Sequence, residues 1–150
     1  MMGAGTKIVI FQTAFLGDVI LTLPVAQALR RAFPHVRIDL VTTPQAAPLA
    51  LHHPAIDNVI PFDKKKSQRG MFGMLDLAHR LRKNNYDVAI VPHRSLRSAL
   101  IVRMSGIPMR IGFASSAGRW FFTHRIPYVP SRHEVERNLS LLSALDVMTA

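Results

Sequence analysis

Short apolar segments rich in β-branched residues alternate with longer stretches of helical periodicity along the chain. This alternation is typical of βαβ units, in which helices join parallel strands and cover the sheet that the strands form. Five segments have the composition of buried strands, and a sixth has a more polar centre: Lys7–Gln12, Val36–Thr42, Asn58–Phe62, Tyr86–Pro92, Met109–Phe113 and Phe121–Tyr128. The pattern predicts an α/β, Rossmann-like fold with a mostly parallel sheet flanked by helices.

Apolar residues at spacings of three and four predict helices between these strands. The first helix joins the first two strands, and we expect Pro24 to kink it and Pro34 to end it. Further helices are predicted in the stretch up to His53 and over Met71–Asn84, Ser95–Ser105 and Glu134–Leu145. A chain of 150 residues has the length of one such domain.

The charge of the chain indicates an anionic partner. Lys and Arg number 19 against 9 acidic residues, which gives a net charge of +10. This excess favours nucleic acid, a phosphorylated substrate or an anionic membrane surface, and a basic solubilising surface is the alternative. The absence of cysteine excludes disulfides and thiolate metal sites and fits a reducing cytoplasm. No apolar run approaches the roughly 18 residues of a membrane span, so we expect a soluble or peripheral protein.

Ligands of open α/β sheets bind beyond the carboxyl ends of the strands, so the loops after the strands are the place for a site. A dinucleotide site is disfavoured, because Gly3 and Gly5 precede the first strand and the loop after that strand contains only Gly17. The histidines have none of the spacings of helical zinc sites, and we predict no metal. The loops instead contain a few carboxylates and many cations.

Asp18 is the candidate for chemistry, because it lies where the first strand turns into a helix. One interpretation is structural, since Asp is a favoured helix N-cap. The other makes Asp18 a general base that takes a proton from an acceptor hydroxyl. A helix N-terminus stabilises a carboxylate and weakens it as a base, so desolvation by a bound substrate would have to restore its basicity.

Basic residues in the same set of loops are candidates for anion binding. Arg94 and Arg97 lie near the start of a predicted helix, where a forked donor suits phosphate or carboxylate. Lys64 and Arg69 belong to a basic run after the third strand, for which a solvated loop is the alternative. No interleaved aromatic platform or recognition-helix pattern accompanies these cations, which argues against nucleic acid.

Four motifs resemble the ADP-heptose:lipopolysaccharide heptosyltransferase family in order and spacing: Phe11–Pro24, His93–Ser98, Arg110–Phe113 and His133–Leu139. The first, a strand that runs into a Gly-Asp pair and a proline-bearing helix, is the most specific. The resemblance is greatest to the heptosyltransferase II branch, and heptosyltransferase I or another member is the alternative. A stand-alone basic Rossmann-like module that binds an anionic partner is the alternative from another class.

The resemblance implies the N-terminal, acceptor-binding half of a GT-B glycosyltransferase that transfers heptose from ADP-heptose to heptosyl-Kdo-lipid A, with inversion and without a metal or cofactor. It implies that Asp18 is the catalytic base. The residues expected to contact the acceptor are Thr13, Gly17, Lys64, Arg69, Arg94 and Arg97. The donor would bind mainly to a C-terminal domain outside residues 1–150, so we expect this chain alone to be inactive. The enzyme would be peripheral on the anionic cytoplasmic face of the inner membrane, with no nucleic-acid partner.

Overall fold

The computed structural model describes residues 2–63 and 70–147. Within these ranges the strands are β1 (Lys7–Phe11), β2 (Arg37–Thr42), β3 (Asn58–Pro61), β4 (Val88–Val91), β5 (Met109–Phe113) and β6 (His124–Ile126). They form one sheet in the order β3-β2-β1-β4-β5-β6, and every neighbouring pair is parallel. The sheet confirms the predicted Rossmann-like fold, since this is the strand order of doubly wound domains.

Helices cover both faces of the sheet: α1 (Leu16–Ile20), α2 (Leu23–Ala32), α3 (Ala47–Leu51), α4 (Gly70–Asn84), α5 (Leu96–Met104) and α6 (Glu134–Ser140). The central strand β1 is therefore buried on both sides. Ile8 and Ile10 pack with α2 and α3 on one face, while Val9 and Phe11 pack with α4 and α5 on the other. Burial on both faces explains why the strands appear in the sequence as continuous apolar runs.

The segment between β1 and β2 differs from the single kinked helix that the sequence predicts. It forms two helices, and the break lies at Leu21 and Thr22. Pro24 lies in the first turn of α2, where its missing N–H needs no partner, so it starts a helix and does not kink one. The hydroxyl of Thr22 donates to the backbone oxygen of Asp18 at 2.8 Å and stabilises the break.

Two further predicted elements are shorter than expected. The last helix ends at Ser140 and continues as a 3₁₀ turn over Leu141–Leu145. The sixth strand is limited to β6, because the preceding Arg119–Phe121 segment forms a 3₁₀ turn.

A buried polar cluster fixes β2 against the end of α4. Asp39 is fully buried, and it accepts hydrogen bonds from Arg37 Nε at 3.1 Å and from the Tyr86 hydroxyl at 2.5 Å. Burial and the hydrogen bond to Asp39 raise the pKa of Tyr86 well above its ordinary value. The hydrogen bond to Asp39 also raises the pKa of Arg37. Because the Asp39 carboxylate is compensated by both neighbours, this cluster is structural.

Gly112 of β5 is constrained by packing, and its replacement should destabilise the fold. A Cβ atom at this position would lie 2.1 Å from Cε2 of the buried Phe122 ring. We expect Gly112→Ala to lower the free energy of unfolding by about 1–3 kcal/mol in a urea titration. Gly17→Ala is the matched control, because a Cβ there meets nothing within 4 Å and alanine is the better helix former. Equal losses of stability in the two variants would contradict this account.

Candidate active site

A cavity of about 510 Å³ lies at the point where the strand order reverses. The chain runs outward from β1 to β3 on one side and from β4 to β6 on the other, so the loops after β1 and β4 diverge and leave a crevice. Asp18 from after β1, Arg94 from after β4, Ser115 from after β5 and Arg137 from α6 contribute to the wall of this switch-point cavity. Elements from distant parts of the sequence therefore meet here.

Asp18 occupies the third position of α1, and its side chain is half-buried. Its Oδ2 accepts a hydrogen bond from the backbone N–H of Phe15 at 3.0 Å. Phe15 is the N-cap residue of α1, so the N-cap interpretation of Asp18 is wrong: the carboxylate stabilises the helix start from the third position. Within the described residues, Oδ1 accepts no hydrogen bond, so one carboxylate oxygen is fixed and the other can accept a proton.

A short hydrogen-bond chain fixes the turn that carries Asp18. The buried Gln12 side chain accepts from the backbone N–H of Ala14 at 3.1 Å and donates to the Thr22 hydroxyl at 3.1 Å. Thr22 in turn donates to the Asp18 backbone, and Asn138 Nδ2 donates to the Leu21 carbonyl at 3.1 Å. Gln12, Thr22 and Asn138 were not among the predicted site residues, although they lie inside two of the motifs, Phe11–Pro24 and His133–Leu139.

Two arginines flank one aromatic ring at the cavity wall. The Arg94 guanidinium lies 3.9 Å from the centroid of the Tyr128 ring, and the Arg137 guanidinium lies 4.8 Å from the same centroid. Tyr128 is itself held edge-on to Phe113 at 5.2 Å. A guanidinium on an aromatic face is weakly hydrated, and its planar donors suit a carboxylate or phosphate. We call these three residues the Arg94–Tyr128–Arg137 cluster.

The Arg137 side chain is held in place by further contacts. It donates to the carbonyl oxygens of Pro130 and Arg132, and its Nη2 lies 3.8 Å from Glu134 Oε1. Arg94 Nη1 makes a longer contact of 3.4 Å with Ser115 Oγ. Arg137 and Tyr128 were not among the predicted site residues, and the only sequence signal for Arg137 was its place in the His133–Leu139 motif. The two arginines give the cavity a positive wall, and the carboxylates of Asp18 and Glu134 line the same cavity.

The other predicted acceptor contacts are distributed around the same sheet edge. Gly17 is exposed in α1 next to Asp18, and buried Thr13 lines a neighbouring apolar cavity of about 570 Å³. Arg97 is exposed and lines a separate groove between α4 and α5, so the structure brings Arg94, but not Arg97, together with Asp18. Lys64 and Arg69 lie outside the described residues. The contacts of all these residues with an acceptor stay predictions.

Residues 2–63 and 70–147 contain neither a metal-binding cluster nor a membrane-spanning helix. These ranges contain no group of three or more His, Asp or Glu side chains that could hold a metal ion. No helix in the same ranges is long and apolar enough to cross a membrane.

Comparison with known proteins identifies the family. The family model of glycosyltransferase family 9 (heptosyltransferase) sequences matches residues 74–149, which are half of the chain. Lipopolysaccharide heptosyltransferase 3 of Escherichia coli K12 is 32% identical over 142 residues, which cover 87% of this chain and 40% of that protein. Relatives named lipopolysaccharide heptosyltransferase 1 and 2 match at 29% and 28% identity. The chain spans less than half of the length of these relatives.

Solved structures agree with this assignment. The glycosyl transferase family 9 structure from Veillonella parvula superimposes with a TM-score of 0.89 at 27% identity and covers 99% of this chain and 44% of its own. E. coli heptosyltransferase WaaC with ADP-2-deoxy-2-fluoro heptose superimposes with a TM-score of 0.82 at 22% identity, over 97% of this chain and 50% of its own. The sheet therefore has the fold of one half of a GT-B heptosyltransferase. Motifs, sheet and matches together show that the chain belongs to glycosyltransferase family 9, the heptosyltransferase family.

Proposed function

We propose that this chain is the acceptor-binding half of an inverting heptosyltransferase, and that it supplies the general base for transfer of heptose from ADP-heptose to the lipopolysaccharide inner core. The observation that carries the proposal is the shared cavity, in which the half-buried Asp18 carboxylate lies with Arg94 and Arg137. A base that lines the same cavity as two cations suits an acceptor that has a sugar hydroxyl to deprotonate and acidic groups to hold. The donor would be held mainly by a second domain outside residues 1–150.

The proposed reaction is one displacement at the anomeric carbon of the heptose. Asp18 Oδ1 takes the proton of an acceptor hydroxyl while the hydroxyl oxygen forms the new glycosidic bond. The bond between the anomeric carbon and the diphosphate oxygen breaks, and ADP leaves with that electron pair. The Arg94–Tyr128–Arg137 cluster holds an acceptor carboxylate, such as that of Kdo, and orients the hydroxyl toward Asp18. This chain's residues thus bind, orient and deprotonate the acceptor.

Within the family, we propose heptosyl-Kdo-lipid A as the acceptor, as in the heptosyltransferase II branch. The 32% identity to lipopolysaccharide heptosyltransferase 3 favours a second candidate, which is transfer at another heptose position of lipopolysaccharide. The third candidate is the acceptor of a heptosyltransferase I, which does not yet carry the first heptose. All three candidates require the same cavity, and they differ in the sugar that carries the attacking hydroxyl.

Binding of a Kdo-containing acceptor to the chain should weaken as salt rises, because the proposed contacts are charge pairs with a partly solvated partner. Isothermal calorimetry at increasing NaCl concentrations measures this effect. A neutral heptose disaccharide is the control ligand, and any binding of it should not depend on salt. ADP-heptose should bind weakly, since its site lies elsewhere. Tight binding of ADP-heptose with no binding of the acceptor would contradict the assignment of this chain to the acceptor side.

A further inference from the structure

The proposed base and an arginine of the cavity wall come from distant parts of the chain, and one side chain joins their helices. Asp18 lies in α1 and Arg137 in α6, and both line the switch-point cavity. Asn138 follows Arg137 in α6, lines the same cavity and is almost fully buried. Its Nδ2 donates to the carbonyl oxygen of Leu21, the C-cap residue of α1, at 3.1 Å. The helix that carries Arg137 is therefore bonded to the helix that carries Asp18.

The Leu21 carbonyl depends on this donor because of the break between α1 and α2. In a continuous helix, a carbonyl accepts from the backbone N–H three or four residues later. Pro24 has no N–H, and the N–H of Val25 donates to the Thr22 carbonyl at 2.9 Å. Asn138 thus supplies a hydrogen bond that the first turn of α2 does not provide.

Helix α1 is short, so its position depends on contacts at its ends. Within its five residues, all of which the structure describes, Val19 is the one buried side chain, and Leu16 and Ile20 are 47% and 48% exposed. A helix of this length is not stable without tertiary contacts. We therefore expect the hydrogen bonds at the C-terminal end of α1 to decide where the Asp18 carboxylate lies.

A continuous set of hydrogen bonds leads from Asn138 to Asp18. The backbone N–H of Leu21 donates to the Gly17 carbonyl at 3.1 Å. The hydroxyl of the next residue, Thr22, donates to the Asp18 backbone oxygen at 2.8 Å. A displacement of the Leu21 carbonyl would therefore move Asp18 with it. A group misplaced by about 1 Å can slow an enzyme about 10²-fold, so such a displacement would slow transfer.

We propose that Asn138 is a positioning residue for the transfer reaction. Through the Leu21 carbonyl, it fixes the Asp18 carboxylate at a set distance from Arg137 on its own helix. An acceptor whose acidic group is held by Arg137 then presents its hydroxyl to Asp18 Oδ1. This inference rests on the proposed function, because it requires Asp18 to be the base. Asn138 itself neither takes the proton nor holds the acidic group.

The first test is steady-state kinetics at saturating ADP-heptose, in a protein that also carries the donor-binding half. Asn138→Leu keeps the size of the side chain but removes the donor. We expect kcat to fall about tenfold or more while the acceptor KM changes by less than about threefold, because the arginines still hold the acceptor.

Ser105→Ala is the matched control for this substitution. Ser105 is also buried, and its Oγ donates to a carbonyl oxygen, that of Val102 at 2.6 Å, at the end of α5 and outside the switch-point cavity. We expect Ser105→Ala to lower the melting temperature and to retain wild-type kcat. Equal losses of kcat in the two variants, or a rise in acceptor KM in place of the loss of kcat, would overturn the proposal.

A second variant tests the same set of hydrogen bonds if Asn138→Leu does not fold. Thr22→Val keeps the shape of the side chain but lacks the hydroxyl that bonds to the Asp18 backbone. We expect kcat to fall without a rise in acceptor KM, and Thr22→Ser, which keeps the hydroxyl, to recover most of the loss. An unchanged kcat in Thr22→Val would show that these bonds do not position Asp18 and would overturn the proposal.

A double-mutant cycle separates this inference from the proposed function. If Asn138 acts through Asp18, Asn138→Leu should lower kcat by less than about twofold in an Asp18→Asn background, in contrast to about tenfold in the wild type. Equal losses in the two backgrounds would overturn the inference and leave Asp18 as the base. A wild-type kcat for Asp18→Asn alone would overturn the proposed function itself, and the inference with it.

Discussion

Asp18→Asn should lower kcat by about 10²–10⁴-fold in a protein that also carries the donor-binding half, with little change in melting temperature. The amide cannot take the hydroxyl proton, so the reaction loses its base. The amide oxygen can still accept the hydrogen bond that Asp18 Oδ2 accepts from the Phe15 N–H at 3.0 Å, so the start of α1 is preserved. The measurement is ADP release at saturating acceptor and donor, together with thermal unfolding of both proteins.

Asp87→Asn is the matched control for this experiment. Asp87 Oδ2 also accepts a backbone hydrogen bond, from Lys7 at 2.9 Å, but Lys7 starts β1 and so lies at the opposite edge of the sheet. We expect Asp87→Asn to retain wild-type kcat. If Asp18→Asn turned over within a few fold of wild type, Asp18 would be left with its structural role at the start of α1 alone.

Removal of both arginines of the Arg94–Tyr128–Arg137 cluster should raise the acceptor KM by about 10²-fold or more. Hydrogen bonds to charged groups contribute about 1.5–3 kcal/mol each, which is at least a tenfold effect per arginine. The change should appear in KM with a smaller effect on kcat, because these contacts hold the acceptor before and during transfer. Steady-state kinetics of Arg94→Ala, Arg137→Ala and the double variant measure it at saturating ADP-heptose.

The design must separate binding from folding, because Arg137 also bonds to the carbonyls of Pro130 and Arg132. Thermal unfolding of each variant measures how much the substitution destabilises the fold. Arg103→Ala removes an exposed cation from the last turn of α5, outside the switch-point cavity, and should leave the acceptor KM unchanged. An unchanged KM in the double variant would show that the cluster does not hold the acceptor. We expect the effects of the two single substitutions on the acceptor KM to be non-additive, since both guanidinium groups contact one ring.

The sheet could be predicted from the sequence because its strands are buried on both faces. Continuous apolar runs such as those of β1 and β4, which alternate with helical segments, fit few structures other than buried parallel strands. The break between α1 and α2 could not be predicted in the same way. It depends on the Thr22 hydroxyl, which bonds to Gln12 and to the Asp18 backbone, and helical periodicity carries no information on such contacts.

The candidate site could be predicted only in part, because it also depends on contacts that the sequence pattern does not show. Asp18 follows a recognisable strand, so its place at the sheet edge could be inferred, but the start of α1 at Leu16 was needed to show that it is not the N-cap. Arg94 and Arg97 are close in sequence, yet Arg97 lies within α5 and lines a different groove. Arg137 joins Arg94 only through the fold, because α6 returns to the switch-point cavity.

The central claim is that this chain provides the acceptor site and base for heptose transfer, and the most direct measurement is transfer itself. A protein with the donor-binding half is incubated with ADP-heptose and, in parallel, with Kdo-lipid A, heptosyl-Kdo-lipid A or no acceptor. Mass spectrometry of the lipid and quantification of ADP follow product formation. We predict that heptosyl-Kdo-lipid A gains one heptose for each ADP released and that ADP release requires this acceptor. Release of ADP at the same rate without acceptor, or with no acceptor gaining heptose, would contradict the account.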